Sequence, residues 1–262
     1  MAQGHGTDSA GQPWAGRTFA PHENSTDDGS APPAFLAAMA EFRAGRSSLR
    51  EVVVVLHDCR FLIPLVAAAG EEGVNAAGLR IDKTQELSII TVAGPDGRPI
   101  LPVFSSVGAM SRWRPDARPV PADARRVALA AASEQTDRVV IDPRSDETEV
   151  VLPRPAVWAI ARGTEWVPAL DDAEVLEAIA IPAEEHPEII AVAPVAGDPD
   201  ARGSGAEVVV RLAVAPGTSS ERMRIVLAAM SERWSRDATV AERVDSLSIQ
   251  PVVLPRDAAS EG

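Results

Sequence analysis

The chain has 262 residues, 45% of them hydrophobic and 24% charged, which is enough to bury a sizeable core in one large domain or two ordinary ones. Its formal net charge of −13, with Lys83 as the one lysine, argues against nonspecific attachment to nucleic acid or anionic lipid, because both need clustered cations. A single cysteine, Cys59, excludes an intramolecular disulfide framework, and the absence of tyrosine leaves Val, Ile, Leu and Ala to build the core.

Residues 1–31 are rich in Gly, Ser, Asp and Pro and read as a flexible tail, with Trp14 and Phe19 as its aromatic exceptions. The N-terminus lacks a basic region followed by an apolar run, and no apolar stretch reaches the roughly 20 residues of a membrane span. The expected location is therefore cytoplasmic, with no membrane partner.

Pro32-Pro33 opens a helix in which Phe35, Leu36, Met39 and Phe42 share one face, and Gly45 ends it. Ser48-Leu49-Arg50-Glu51 has the spacing of a capping box, whereas Val52–Leu56 is β-prone. The stripe of Leu49, Val52, Val53 and Leu56 decides for a helix over about 49–58. A strand follows at Arg60–Ala67, then an acidic, Gly-punctuated loop over 70–80.

From Asp82 to Trp113 the pattern is strand, turn, strand, short helix. Leu87–Val92 alternates, Gly94-Pro95-Asp96-Gly97 supplies turn chemistry, and Ile100–Phe104 returns as the partner strand. Ser105 or Ser106 then caps a helix carrying Val107, Met110 and Arg114 on one face, with Trp113 beside them. Prolines keep 114–121 extended. A helix over 123–134, strands at Arg138–Ile141 and Glu149–Leu152, and a helix over 155–161 complete the first part.

The pattern restarts after a boundary near 163–170. Asp171-Asp172 opens a helix with acids at its positive end. Strands are expected at 189–195 and at Val208–Val214, where alternation is clear. Thr218-Ser219-Ser220-Glu221 reads as a capping box before a helix striped with Met223, Val226, Leu227, Met230 and Trp234. A last strand begins at Leu247; with a helix between it and the preceding strand, the pair is expected to be parallel. The fold class is thus mixed α/β, or α+β: two domains, 32–165 and a smaller 170–256, each a mixed sheet covered by helices, flanked by tails at 1–31 and 257–262.

Several of these pieces recur together in a known family: Arg60–Val66, Asp82-Lys83, Leu87–Gly97, Leu101–Ser106, Trp113, Arg118-Pro119-Val120 and Val139–Pro143. In this order they resemble the N-terminal domain of the SseB, or enhanced-serine-sensitivity, family over about 34–163. The later half is similar to that family's C-terminal domain in pattern and order. The resemblance implies a soluble α/β protein and carries over no active site.

Chemistry-bearing clusters are few. His57-Asp58-Cys59 sets a thiol beside an imidazole, but neighbours in sequence rarely face one another, and the cluster enters a strand rather than leaving it. His5, His22 and His186 have no zinc-site spacing, and phosphate-binding and nucleophile-elbow motifs are missing. No catalytic residue, metal or cofactor is expected. The candidate partner or ligand surface is Ser105, Ser106, Trp113 and Arg114, with Arg112 adding charge. The expected function is a non-catalytic binding or regulatory protein that contacts a protein partner or a second copy of itself. The alternative is an amino-acid-related metabolite sensor or an enzyme, with Ser105, Ser106 and Asp142 converging at strand ends.

Overall fold

The computed structural model describes residues 27–67, 73–74, 80–81 and 87–253. The aromatic residues Trp14 and Phe19, the histidines His5 and His22, the Asp82-Lys83 pair and the expected C-terminal tail lie outside them. The elements run α1 (Pro33–Arg43), α2 (Leu49–Leu56), β1 (Arg60–Ala67), β2 (Gly73–Val74), β3 (Arg80–Ile81), β4 (Leu87–Ile89), β5 (Val92–Ala93), β6 (Pro99–Val103), α3 (Val107–Trp113), β7 (Arg118–Asp123), α4 (Ala124–Ser133), β8 (Arg138–Ile141), β9 (Val150–Leu152) and α5 (Arg154–Arg162). After a short 3₁₀ turn at Ala169–Asp171 come α6 (Ala173–Glu184), β10 (Ile189–Ala196), β11 (Val208–Val214), α7 (Ser220–Arg236), α8 (Ala238–Arg243) and β12 (Leu247–Val253). Mixed helices and sheets are the fold class expected from the pattern.

Local signals act as read at most helix ends. Ser48 donates its backbone N–H to the Glu51 carboxylate at 2.6 Å, which starts α2. The helix stops at Leu56, two residues before the expected end, and His57 to Cys59 form the turn into β1. Asp123 and Asp172 cap α4 and α6 with their carboxylates. Gly163, at φ 69°, ends α5 in the left-handed conformation that a side chain would strain. Of the two serines expected to cap α3, Ser106 does so, accepting from the Ala109 N–H. One cap differs from expectation. Ser219, not Thr218, caps α7 by accepting from Arg222, because the Thr218 hydroxyl is held by the Ala215 carbonyl.

The expected hairpin is divided. Val92 and Ala93 pair antiparallel with Ile100 and Pro99 around the turn, in which Gly97 takes a φ of 79°. The first half of the expected strand, Leu87–Ile89, instead pairs with the far end of β1, opposite Leu65–Ala67. Periodicity specifies which face of a strand is apolar but not which neighbour it meets. β1 also pairs along its length with β7, Arg60 opposite Asp123, so the stretch expected only to be extended becomes an edge strand with its prolines tolerated there. A second sheet has the order β5-β6-β8-β9, with β6 and β8 parallel. A bridge from Leu62 to Phe104, with N–H···O bonds of 2.8 and 3.0 Å, ties it to β1. A third sheet has the order β10-β11-β12, with β11 and β12 parallel as expected, and β2 pairs with β3.

Among the described residues the buried side chains form three clusters. The largest joins Phe35 and Met39 of α1, the inner face of α2, and the core strands with α4 and α5; the Phe35 and Phe61 rings meet edge to face at 5.6 Å. A second packs Val208, Val210 and Leu212 of β11 under Ile179 of α6 and Val226, Met230 and Trp234 of α7, where the Trp234 indole donates to the Ile179 carbonyl at 3.2 Å. A small third cluster holds Leu62, Phe104, Met110 and Ala117. Of the stretch expected as a tail, residues 27–31 lie against the fold. Arg60 holds the Asp27 carboxylate and the Ser30 carbonyl, and the Val107 N–H donates to the Gly29 carbonyl.

Candidate functional site

The residues singled out in the sequence are placed as follows. Ser105 follows β6 and Asp142 follows β8, so the parallel pairing of those strands brings both to one end of the sheet. The Asp142 carboxylate accepts from the Ser105 N–H at 2.7 Å and from its hydroxyl at 2.5 Å. Both residues are 2% exposed, and Asp142 takes a φ of 48° to turn back on Ser105. The pair therefore consumes its own polar groups. Ser106 is committed to its cap. Trp113 is half-buried against Phe104, ring centroids 5.2 Å apart, and exposed Arg114 bonds Asp116 at 3.0 Å. His57 is exposed, whereas Cys59 is buried and its thiol donates to the Val55 carbonyl at 3.3 Å. Burial, with Asp58 nearby, pushes the Cys59 thiol above its ordinary range, the wrong direction for a nucleophile. Among the described residues no group of three or more His, Cys, Asp or Glu is placed to hold a metal, and no helix is long and apolar enough to cross a membrane.

A site that sequence reasoning missed lies where the first part of the chain meets the second. It is a cleft of about 400 Å³, within the size range of small-molecule sites. Phe42, Leu49, Trp166 and Leu170 give it apolar walls. Ser47, Asp198, Glu207 and Asp245 supply its polar groups. Asp198 is occupied in shaping the β10–β11 loop, accepting from the Gly203 N–H at 2.6 Å and the Ser204 hydroxyl at 2.7 Å.

Asp245, 3% exposed in its side chain, is the hub beneath the cleft. Its carboxylate receives the Arg138 guanidinium through Nε at 3.0 Å and through Nη2, Arg98 at 3.1 Å, the Arg154 N–H at 3.2 Å and the Ser246 hydroxyl at 3.0 Å. Arg138 also reaches Asp96 at 2.8 Å. Residues of the β5–β6 turn, β8 and α5 are thereby fastened to the segment before β12. The backbone repeats the junction: the Val151 N–H donates to the Ala201 carbonyl at 2.7 Å, and Arg43 donates to the carbonyls of Asp200 and Glu149.

Glu207 differs from its acidic neighbours. One oxygen accepts the Asp245 N–H at 2.6 Å, and among the described residues the other has no bond. Burial pushes its carboxyl up to about 7; the Asp245 N–H and the Arg154 guanidinium pull it down and the Asp245 charge pushes it further up. Two wall residues also carry buried polar atoms with no hydrogen-bond partner in the described chain, Trp166 Nε1 and Ser47 Oγ. Leaving such a group unpaired costs on the order of 1–3 kcal/mol, and functional sites are where that cost is commonly carried.

Architecture and site together define a mixed α/β protein with a small-molecule-sized cleft at an internal junction. Residues 35–159 match the family model of the SseB protein N-terminal domain. No curated protein and no solved structure matched the chain.

Proposed function

We propose that the protein is a non-catalytic binding protein whose ligand is a small molecule seated in the cleft beside Glu207. The observation that carries this reading is an apolar-walled cavity of about 400 Å³ lined by Glu207, one carboxylate oxygen of which bonds nothing among the described residues. Binding rather than turnover is supported by the commitments of the other groups. Asp198 and Asp245 spend their carboxylate oxygens on protein donors, and the Cys59 thiol lies in the core. A second reading, proton transfer by Glu207 to or from a bound molecule, is favoured by its elevated pKa alone. The binding surface moves accordingly from the expected Trp113 helix to the cleft.

The test is a ligand-observed NMR fragment screen on wild-type protein, on a cleft-filled variant, Leu170→Trp, and on Trp113→Ala. Fragments that bind wild type should bind Trp113→Ala unchanged and be lost from the filled variant. Fragments that bind all three alike would overturn the reading. Release of a chemically altered fragment would favour the proton-transfer alternative.

A further inference from the structure

We infer that the cleft selects an amphipathic cation: an apolar or aromatic body bearing an ammonium group that pairs with Glu207. This rests on the cleft being the binding site and adds the chemistry of its occupant.

The charges set the sign. Of the ionisable residues lining the cavity, among those described, Asp171, Asp198, Glu207 and Asp245 are acidic and Arg138 alone is basic. Arg138 offers no free charge to an anion, because its guanidinium is already divided between Asp245 and Asp96. Arg154 turns its guanidinium to the Ala241 and Val244 carbonyls, while its N–H serves Asp245. A ligand carboxylate or phosphate would therefore meet the Glu207 carboxylate with no available cation among the described lining residues. A ligand ammonium would meet the free oxygen of Glu207.

The walls supply the second half. Phe42, Leu49, Trp166 and Leu170 surround the space beside Glu207 with hydrocarbon, so the body that carries the ammonium is apolar or aromatic.

Glu207 also makes this recognition pH-dependent. It is faced by Asp245 on the segment before β12 and by Arg154 on α5, while Asp171 and Asp198 stand on other walls. Its elevated carboxyl is largely protonated below neutrality, so an ammonium ligand must displace that proton. Binding of a cation should strengthen as pH rises through about 7 and level off above it.

The experiment uses four probes with related bodies at pH 8: tyramine (cation with a phenol oxygen), tyrosol (neutral), 3-(4-hydroxyphenyl)propionate (anion) and phenethylamine (cation without the oxygen). Affinities are measured by calorimetric titration into wild type, Glu207→Gln and Leu170→Trp, each first checked for an unchanged circular dichroism spectrum. Wild type should prefer tyramine over tyrosol by about 10- to 100-fold, the range for a hydrogen bond to a charged group, with the anion weakest. Glu207→Gln should erase the preference for the cation while leaving tyrosol binding in place. Phenethylamine should follow tyramine in each protein, because the charge carries the recognition. Leu170→Trp should abolish binding of all probes. Equal binding of cation, neutral and anion, lost in Leu170→Trp, would overturn the cation class and leave the cleft standing. Binding that survives in Leu170→Trp, or none in wild type, would overturn both.

Discussion

Replacing Asp245 by alanine should cost more than any other single change at the junction. The substitution removes both Arg138 bonds, the Arg98 bond, and the acceptors of the Arg154 N–H and the Ser246 hydroxyl. Arg138, 7% exposed in its side chain, would remain buried with Asp96 as its remaining anion. Breaking a buried pair from one side costs about 3–5 kcal/mol. Because Asp96 still compensates part of the charge, the expected loss is about 3–4 kcal/mol, a large share of a total stability on the order of 5–15 kcal/mol. In urea, with a slope of roughly 2–3 kcal/mol/M, the midpoint should fall by about 1–2 M. Replacing both members, Arg138→Met with Asp245→Leu, removes the stranded charge and should recover much of the loss, so the two single effects should not add. A loss below about 1 kcal/mol, the range of exposed ion pairs, or strictly additive singles, would refute the view that this network fastens the two parts of the chain.

Glu207 predicts a pH signature opposite to that of an ordinary salt-bridged carboxylate. Its folded value of about 7 lies above the ordinary 4.5, so the folded state holds the proton more tightly, and stability should fall as pH rises from about 4.5 to 7. The contribution is at most about 3 kcal/mol, and Glu207→Gln should flatten that part of the urea-stability profile; an unchanged slope would contradict the assignment. At the carboxyl end of β8, Asp142→Ala should destabilise by about 2–3 kcal/mol by orphaning the buried N–H and hydroxyl of Ser105. Tyramine titration should show its affinity untouched; a loss of binding from the folded variant would return that pair to consideration as a site.

What the sequence made legible was local. The Ser48–Glu51 cap, the Gly94–Gly97 turn and the alternation of Val208 to Val214 are each written within a few residues, and each forms. Strand partners were not legible. Nothing within Leu87–Ile89 says that it belongs with β1 rather than with the strand just beyond the turn. The cleft escaped for the same reason on a larger scale. Ser47, Arg138, Trp166, Glu207 and Asp245 come from five separated segments, none of which carries a motif. The preference of sites for the carboxyl ends of strands also points away from it, since Glu207 and Asp245 sit just ahead of the amino ends of β11 and β12. The one trace in the sequence was an acidic residue placed immediately before a strand that is buried along one face.

The Arg138–Asp245 pair also has a consequence for synthesis. The two residues are 107 positions apart. At about 5–20 residues per second, a ribosome takes roughly 5–20 s to add Asp245 after Arg138 has been made. During that interval β8 can assemble with β6 and β9, but the strongest partner of its first residue does not yet exist. The nascent first part must keep Arg138 hydrated or lean on Asp96 alone, so its closing step is timed by arrival of the segment before β12.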